Sequence, residues 1–301
     1  MKHQWTIFCS VSGAVLMALC ASTAVATEAA HATTPACQAV AAPKEAFEMQ
    51  VPFEVIDGRI YLQARVNGRG PFKFAVDTGA SGIGRADSSL VSDLGLALQR
   101  PTLNSDGVKT TEADTTRIES LSIGGMAKHD LQVITRDYNS RMSPEAAFAG
   151  IVARDFFGDG LLIIDYPRKV LSFSKSLSLD PKHQGVLRYE RPFRVPVSIG
   201  ALQTEGNLDT GANVTFVMPQ ALFDKVVATP AEPAGKGQLA NTQIETKRAT
   251  VRGPFRIGGA TVSGVEVRIS DEYPELLVGA HILKNYAVLI DQRSKSVTLC
   301  Q

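Results

Sequence analysis

Between residues 51 and 77 the chain reads VPFEVIDGRIYLQARVNGRGPFKFAVD, with apolar and polar positions alternating at a period of two. That period belongs to strands with one buried face. Asp57-Gly58 and Asn67-Gly68 interrupt it with residue pairs that hairpin turns favour. The pattern predicts three short strands, the last ending on Asp77. The remainder of the chain to residue 300 continues in the same way, as short strands separated by Gly, Asn and Asp turns. A short helix is expected at residues 154–157 and another at residues 281–285. No regular strand–helix alternation is visible, which argues against doubly wound sheets.

A carboxylate at the end of an apolar strand is costly unless it is hydrogen-bonded or its chemistry is needed there. The same feature occurs twice: Asp77-Thr78-Gly79 in FKFAVDTGAS returns as Asp209-Thr210-Gly211 in EGNLDTGANV, 132 residues on. Ile123-Gly124-Gly125 returns as Ile257-Gly258-Gly259, and Phe148-Ala149-Gly150 as Leu277-Val278-Gly279. LLIIDYPRKVLSF, from residue 161, returns as AVLIDQRSKSVTL from residue 287. Four marks in one order and at nearly one spacing identify an internal duplication. The expected plan is an N-terminal lobe over residues 51–175, a linker over 176–191 and a C-terminal lobe over 192–301.

Composition adds boundaries. The 301 residues are 44% hydrophobic and 20% charged, ordinary for a globular protein. With 31 basic and 30 acidic residues, no net field points to nucleic acid or an anionic membrane surface. Residues 1–26 combine Lys2, an uncharged run and Ala24-Val25-Ala26, the pattern of a secretory signal peptide cut after Ala26. A retained membrane anchor is the alternative; the small-residue content and the AVA site favour cleavage. The expected product is exported, periplasmic or secreted, with no membrane attachment after cleavage. Residues 27–50, rich in Ala, Thr and Pro, read as a flexible lead-in or pro-segment. Cys37 and Cys300 survive cleavage near the two ends, and in an oxidising compartment they suggest one disulfide, two free thiols being the alternative. Scattered single histidines offer no metal site, and no metal or cofactor is expected.

Some motifs invite simpler readings. Gly82-Ile83-Gly84-Arg85-Ala86-Asp87 lacks the third glycine of a dinucleotide loop. Asp165 and Asp291 recur in both copies at strand ends followed by turns, which reads as structural. No nucleophile elbow is present.

The two DTG strands, each followed by an apolar-apolar-Gly loop, resemble the half-sites of the aspartic peptidases, with two retropepsin-like repeats in one chain. The resemblance covers residues 51–300. It implies an all-β, bilobal, pepsin-like acid-protease fold: two similar β-barrel lobes with the active cleft between them. It further implies Asp77 and Asp209 as a catalytic dyad acting through an activated water on a peptide or protein substrate. Thr78, Gly79, Thr210 and Gly211 would support the two loops, and one chain supplying both half-sites implies a monomer. Ala80 and Ala212 stand where pepsin-like members often carry a hydroxyl bonded to the carboxylate. Without that bond to the charged form, the pH optimum is expected nearer neutral than pepsin's. The flap of such enzymes corresponds to residues 103–121, with Asp106-Gly107 as its tip and no tyrosine. A peptidase-fold protein that binds peptides or a partner without cutting is the alternative.

Overall fold

The computed structural model describes residues 35–301, so the expected signal segment lies outside the described residues. The architecture is mostly β, in two similar halves, as expected of a bilobal all-β fold. In the first half, strand Arg69–Asp77 lies between Arg59–Val66, antiparallel, and Gly150–Ala153, parallel, with Asp77 opposite Ala153. Gly84–Asp87 pairs antiparallel with Gly150–Ala153 and parallel with Met126–Arg136. The second half repeats this threading. Leu202–Asp209 lies between Arg194–Ile199 and the parallel Leu276–Gly279, with Asp209 opposite Gly279. Phe216–Pro219 pairs antiparallel with Leu276–Gly279 and parallel with Val265–Ser270.

A third, six-stranded sheet is built from both halves. At its centre Leu161–Asp165 runs antiparallel to Ala287–Asp291, with Ile163 opposite Leu289. These are the two copies of one sequence repeat, so the pseudo-twofold axis passes through this pair. Every residue of both strands is buried, which fits their nearly continuous apolar sequence. Asp165 and Asp291 serve the turns that follow. Asp165 accepts from the Arg168 amide at 3.0 Å, and Asp291 from the Arg293 amide at 3.1 Å.

The Ile-Gly-Gly marks are hairpin tips, with φ of 54° at Gly124 and 57° at Gly258. Both expected helices form, as a 3-10 turn Arg154–Phe157 and a helix Ala280–Leu283. The three strands expected before Asp77 become four, because Met49–Pro52 leaves to pair with Val170–Ser174 while Glu54–Ile56 starts the hairpin with Arg59–Val66.

The lead-in is packed from Pro35 onward, contrary to the flexible segment expected over residues 27–50. A 3-10 helix, Pro35–Ala41, buries Ala36 and Cys37 in an apolar cluster with Leu161, Leu179 and Leu289. Cys37 is bonded to Cys300 in the last strand, which fixes this helix to the central sheet. A 3-10 turn has neither the period of a helix nor that of a strand, so alternation could not reveal it. Within residues 176–191, the expected connection, Leu179 is buried and its amide bonds Asp291 at 3.1 Å. Leu187–Arg188 then adds an edge strand to Ser296–Cys300.

Candidate active site

Strands Arg69–Asp77 and Leu202–Asp209 end side by side across the pseudo-twofold axis, and the loops after them interlock. The Thr78 amide donates to Thr210 Oγ1 at 3.1 Å, and the Thr210 amide to Thr78 Oγ1 at 3.1 Å. Each hydroxyl also donates to the opposite strand: Thr78 to the Leu208 carbonyl at 3.3 Å, Thr210 to the Val76 carbonyl at 3.0 Å. Both threonines are almost wholly buried. Four buried hydrogen bonds thus join the lobes at the point where the aspartates emerge, and buried bonds of this kind are costly to break.

The two glycines set the approach distance. A Cβ on Gly79 would stand 2.5 Å from Asp209 Oδ2, and one on Gly211 2.6 Å from Asp77 Oδ2. Each glycine therefore accommodates the carboxyl group of the other lobe, and any side chain there would push the pair apart. Asp77 Oδ1 accepts from the Ala80 amide at 2.9 Å, and Asp209 Oδ1 from the Gly211 amide at 2.8 Å. The backbone supplies the stabilising donors that no hydroxyl at residues 80 and 212 offers. Two carboxyl groups this close do not both ionise cheaply. Burial first, and the charge of Asp77 second, push the Asp209 carboxyl up to about 8, and it hydrogen-bonds Asp77. The Asp209 carboxyl therefore keeps its proton well above the pH at which an ordinary carboxyl loses it.

Arginines outside the repeated motif fix the backbone of both loops. Arg154 Nη1 donates to the Gly79 carbonyl at 3.3 Å. Arg59, from the first lobe, reaches across to donate to the Gly211 carbonyl at 2.7 Å and to Asn213 Oδ1 at 3.0 Å. Asn213 also donates to Asp57, which in turn contacts His281 Nε2 at 3.0 Å. None of these contacts was visible in the sequence, because the partners lie 75 residues apart for Arg154 with Gly79 and more than 150 apart for the others. Cys300, by contrast, lies in the central sheet and Cys37 in the helix bonded to it, away from this site. Among the described residues, no three His, Cys, Asp or Glu side chains converge as metal ligands.

Comparison with protein families gives a match to the aspartyl protease model over residues 62–156 and 195–282, one segment for each DTG strand. The chain belongs to the aspartyl protease family. No curated protein matches it.

In this aspartyl protease a hairpin from each lobe reaches the other. The first-lobe hairpin, Leu98–Ser105 with Thr110–Ile123, has its tip at residues 106–109 as Asp106-Gly107 indicated. The second-lobe hairpin, Glu232–Gln238 with Gln243–Val251, meets it. Asn241 is the meeting point: its amide donates to Asp106 Oδ2 at 2.7 Å, and its side chain to the carbonyls of Asn104 and Lys109 at 2.7 and 2.6 Å. Arg136 adds bonds to the Ala240 carbonyl at 2.9 Å and to Asn241 Oδ1 at 2.5 Å. Beneath the tip, Val108 packs on an apolar cluster that includes Tyr273, Leu277 and Ala212. The flap lacks a tyrosine of its own, and the second lobe presents Tyr273 to it. Burial, and then the charge of Asp209, push the Tyr273 phenol up, so it stays protonated. A cavity lined by Thr111, Asp114, Arg136 and Asn241 lies against this clasp and includes neither Asp77 nor Asp209.

Proposed function

We propose that the protein is an exported aspartic endopeptidase in which Asp77 and Asp209 form the catalytic dyad of a monomer. The observation that supports this best is the reciprocal lock of Thr78 and Thr210, which holds two strand-end carboxyls against the facing glycines. A structural aspartate needs only its own turn. A pair arranged to share a proton suits general acid–base work.

In this reading a water lies between the carboxyls. The ionised member takes its proton while the protonated member donates to the scissile carbonyl oxygen, giving a tetrahedral diol. Transfer of a proton to the amine then releases the two peptides, with no covalent intermediate. An extended peptide would enter after the clasp parts and pair its backbone with the hairpins that close over it. The raised pKa of Asp209 supports an activity that persists toward neutral pH. Export is supported by the signal-like residues 1–26 and by the Cys37–Cys300 disulfide, which suits an oxidising compartment.

The test is cleavage of an unfolded protein by the mature chain between pH 3 and 8, with pepstatin as an added arm. Wild type should cut, and Asp77→Asn and Asp209→Asn should each abolish cutting. Retention of cleavage by either variant refutes the dyad.

A further inference from the structure

The pseudo-twofold axis allows the two walls of the cleft to be compared position by position. On the first wall, Tyr61, Ala75, Ile151, Arg85 and Ile134 are directly opposed across adjacent strands. On the second wall the corresponding row is Arg194, Asn207, Leu277, Val217 and Arg268. Directly opposed residues share a sheet face, and Ala75 and Asn207 each lie two residues before a dyad aspartate, so both rows face the cleft. Each wall carries an apolar cluster beside the alanine that follows its DTG triplet. On the first wall, Tyr61, Phe148 and Ile151 gather with Ala80 and Tyr138; on the second, Ile244, Tyr273 and Leu277 gather with Ala212 and Val217.

The walls differ most simply at one pair of equivalent positions, Arg85 and Val217. Val217 packs against the apolar cluster of Ile244, Tyr273 and Leu277, with Arg268 opposite it in the row. The arginines of that row are already paired, Arg194 with Glu275 and Arg268 with Glu266. Arg85 is half-buried and, among the described residues, donates to the Gly84 carbonyl at 2.9 Å and to Ser81 Oγ at 3.5 Å. It makes no ion pair among the described residues, although its charge is felt by Tyr138 and Asp77. Burial works against its charge, and the nearby Arg136 and Arg154 add repulsion. A guanidinium held there with donors to spare is suited to a carboxylate, which it can bind with two parallel hydrogen bonds.

We propose that Arg85 is a specificity-determining residue that receives an acidic substrate side chain beside Asp77, while the Val217 side of the cleft receives an apolar one. This rests on the endopeptidase reading, and it adds a direction to a site whose two Asp-Thr-Gly loops repeat each other.

The experiment takes one peptide recovered from a wild-type digest of an unfolded protein. Gln is placed in turn at each of the four positions on either side of the cut, and each Gln peptide is paired with its Glu counterpart. Wild type is expected to favour Glu over Gln by about tenfold in kcat/KM at one position on one side only, less so at high salt. In Arg85→Gln that ratio should fall to about one, and in Arg85→Glu a Lys peptide should replace the Glu peptide as the better substrate. Ratios within one variant are independent of how much enzyme is correctly folded. Efficient cleavage with no Glu preference, or a preference unchanged in Arg85→Gln, overturns the assignment and leaves the peptidase reading intact. Absence of any cleavage counts against the peptidase reading instead. The Glu and Gln peptides, drawn in that case from the same unfolded protein, are then compared by fluorescence anisotropy. The same tenfold ratio in Kd, lost in Arg85→Gln, supports Arg85, and equal Kd values overturn it.

Discussion

Replacing Asp209 by Asn should stabilise the protein at neutral pH and not in acid. The Asp209 carboxyl starts from an ordinary value of 3.8 and is pushed up to about 8, by burial first and the Asp77 charge second. A carboxyl whose folded value lies above its unfolded one keeps its proton in the native state after the unfolded chain has released it. Stability from this group is therefore complete in acid and is lost as pH rises from about 4 to about 8. About three pH units of that interval lie below pH 7, and at 1.36 kcal/mol each the ceiling is about 4 kcal/mol. Asp209 is only partly buried, and cleft water reduces the effect, so we expect about half of that, about 2 kcal/mol. Asn keeps the acceptor for the Gly211 amide and is isosteric with the protonated acid.

The assay is thermal unfolding by circular dichroism at pH 4 and pH 7, since the only tryptophan, Trp5, falls in the expected signal segment. At a slope of about 2–4 °C per kcal/mol for a chain of this size, Asp209→Asn should gain about 4–8 °C over wild type at pH 7 and almost nothing at pH 4. A loss of stability at pH 7, or a gain equal at both values, refutes the picture of a crowded pair sharing a proton.

Three further outcomes follow from contacts elsewhere. Thr210→Val leaves the Thr78 amide and the Val76 carbonyl without buried partners, and urea unfolding should show a loss of about 2–4 kcal/mol, with Thr210→Ser recovering most of it. A loss below about 0.5 kcal/mol counts against the interlobe lock. Joint Cys37→Ser and Cys300→Ser opens a connection spanning 263 residues and should cost about 2–4 kcal/mol by the same measurement. Asn241→Ala removes the side-chain bonds that join the hairpin tips, so hydrogen exchange of residues 104–109 should quicken while the rest of the first lobe stays protected. Unchanged exchange there would show that the clasp is held by Val108 instead.

Most of what was legible in the sequence is what the chain states twice. The DTG strands, the Ile-Gly-Gly hairpins, the short helices after residues 153 and 279 and the central strands from residues 161 and 287 all appear where their repeats indicate. Of the features present once, the Cys37–Cys300 pairing and the Asp106-Gly107 tip were readable and others were hidden. Helix Ser88–Leu94 was missed, though Asp87 caps it through a 2.9 Å bond from the Ser89 amide and Gly95 closes it in the left-handed region. The second copy has Phe216–Pro219 and only a four-residue helix there, so no repeat drew attention to it. Contacts between lobes were equally hidden, since Arg59 with Gly211, or Asn241 with Asp106, pair residues more than 130 positions apart.

Duplication and divergence divide along a physical boundary. Residues whose positions are fixed by the partner lobe, namely Thr78 with Thr210 and Gly79 with Gly211, are identical in both copies, because the axis makes each the environment of the other. A change in one would need a matching change across the axis. Residues that face the cleft meet no such constraint. Arg85 stands against Val217, Tyr61 against Arg194 and Ala75 against Asn207, each pair occupying one place in the same strand order. In the proposed reading, a peptide lying across the axis would have two different ends and no twofold symmetry. Its recognition would therefore depend on the positions where the two lobes have stopped matching.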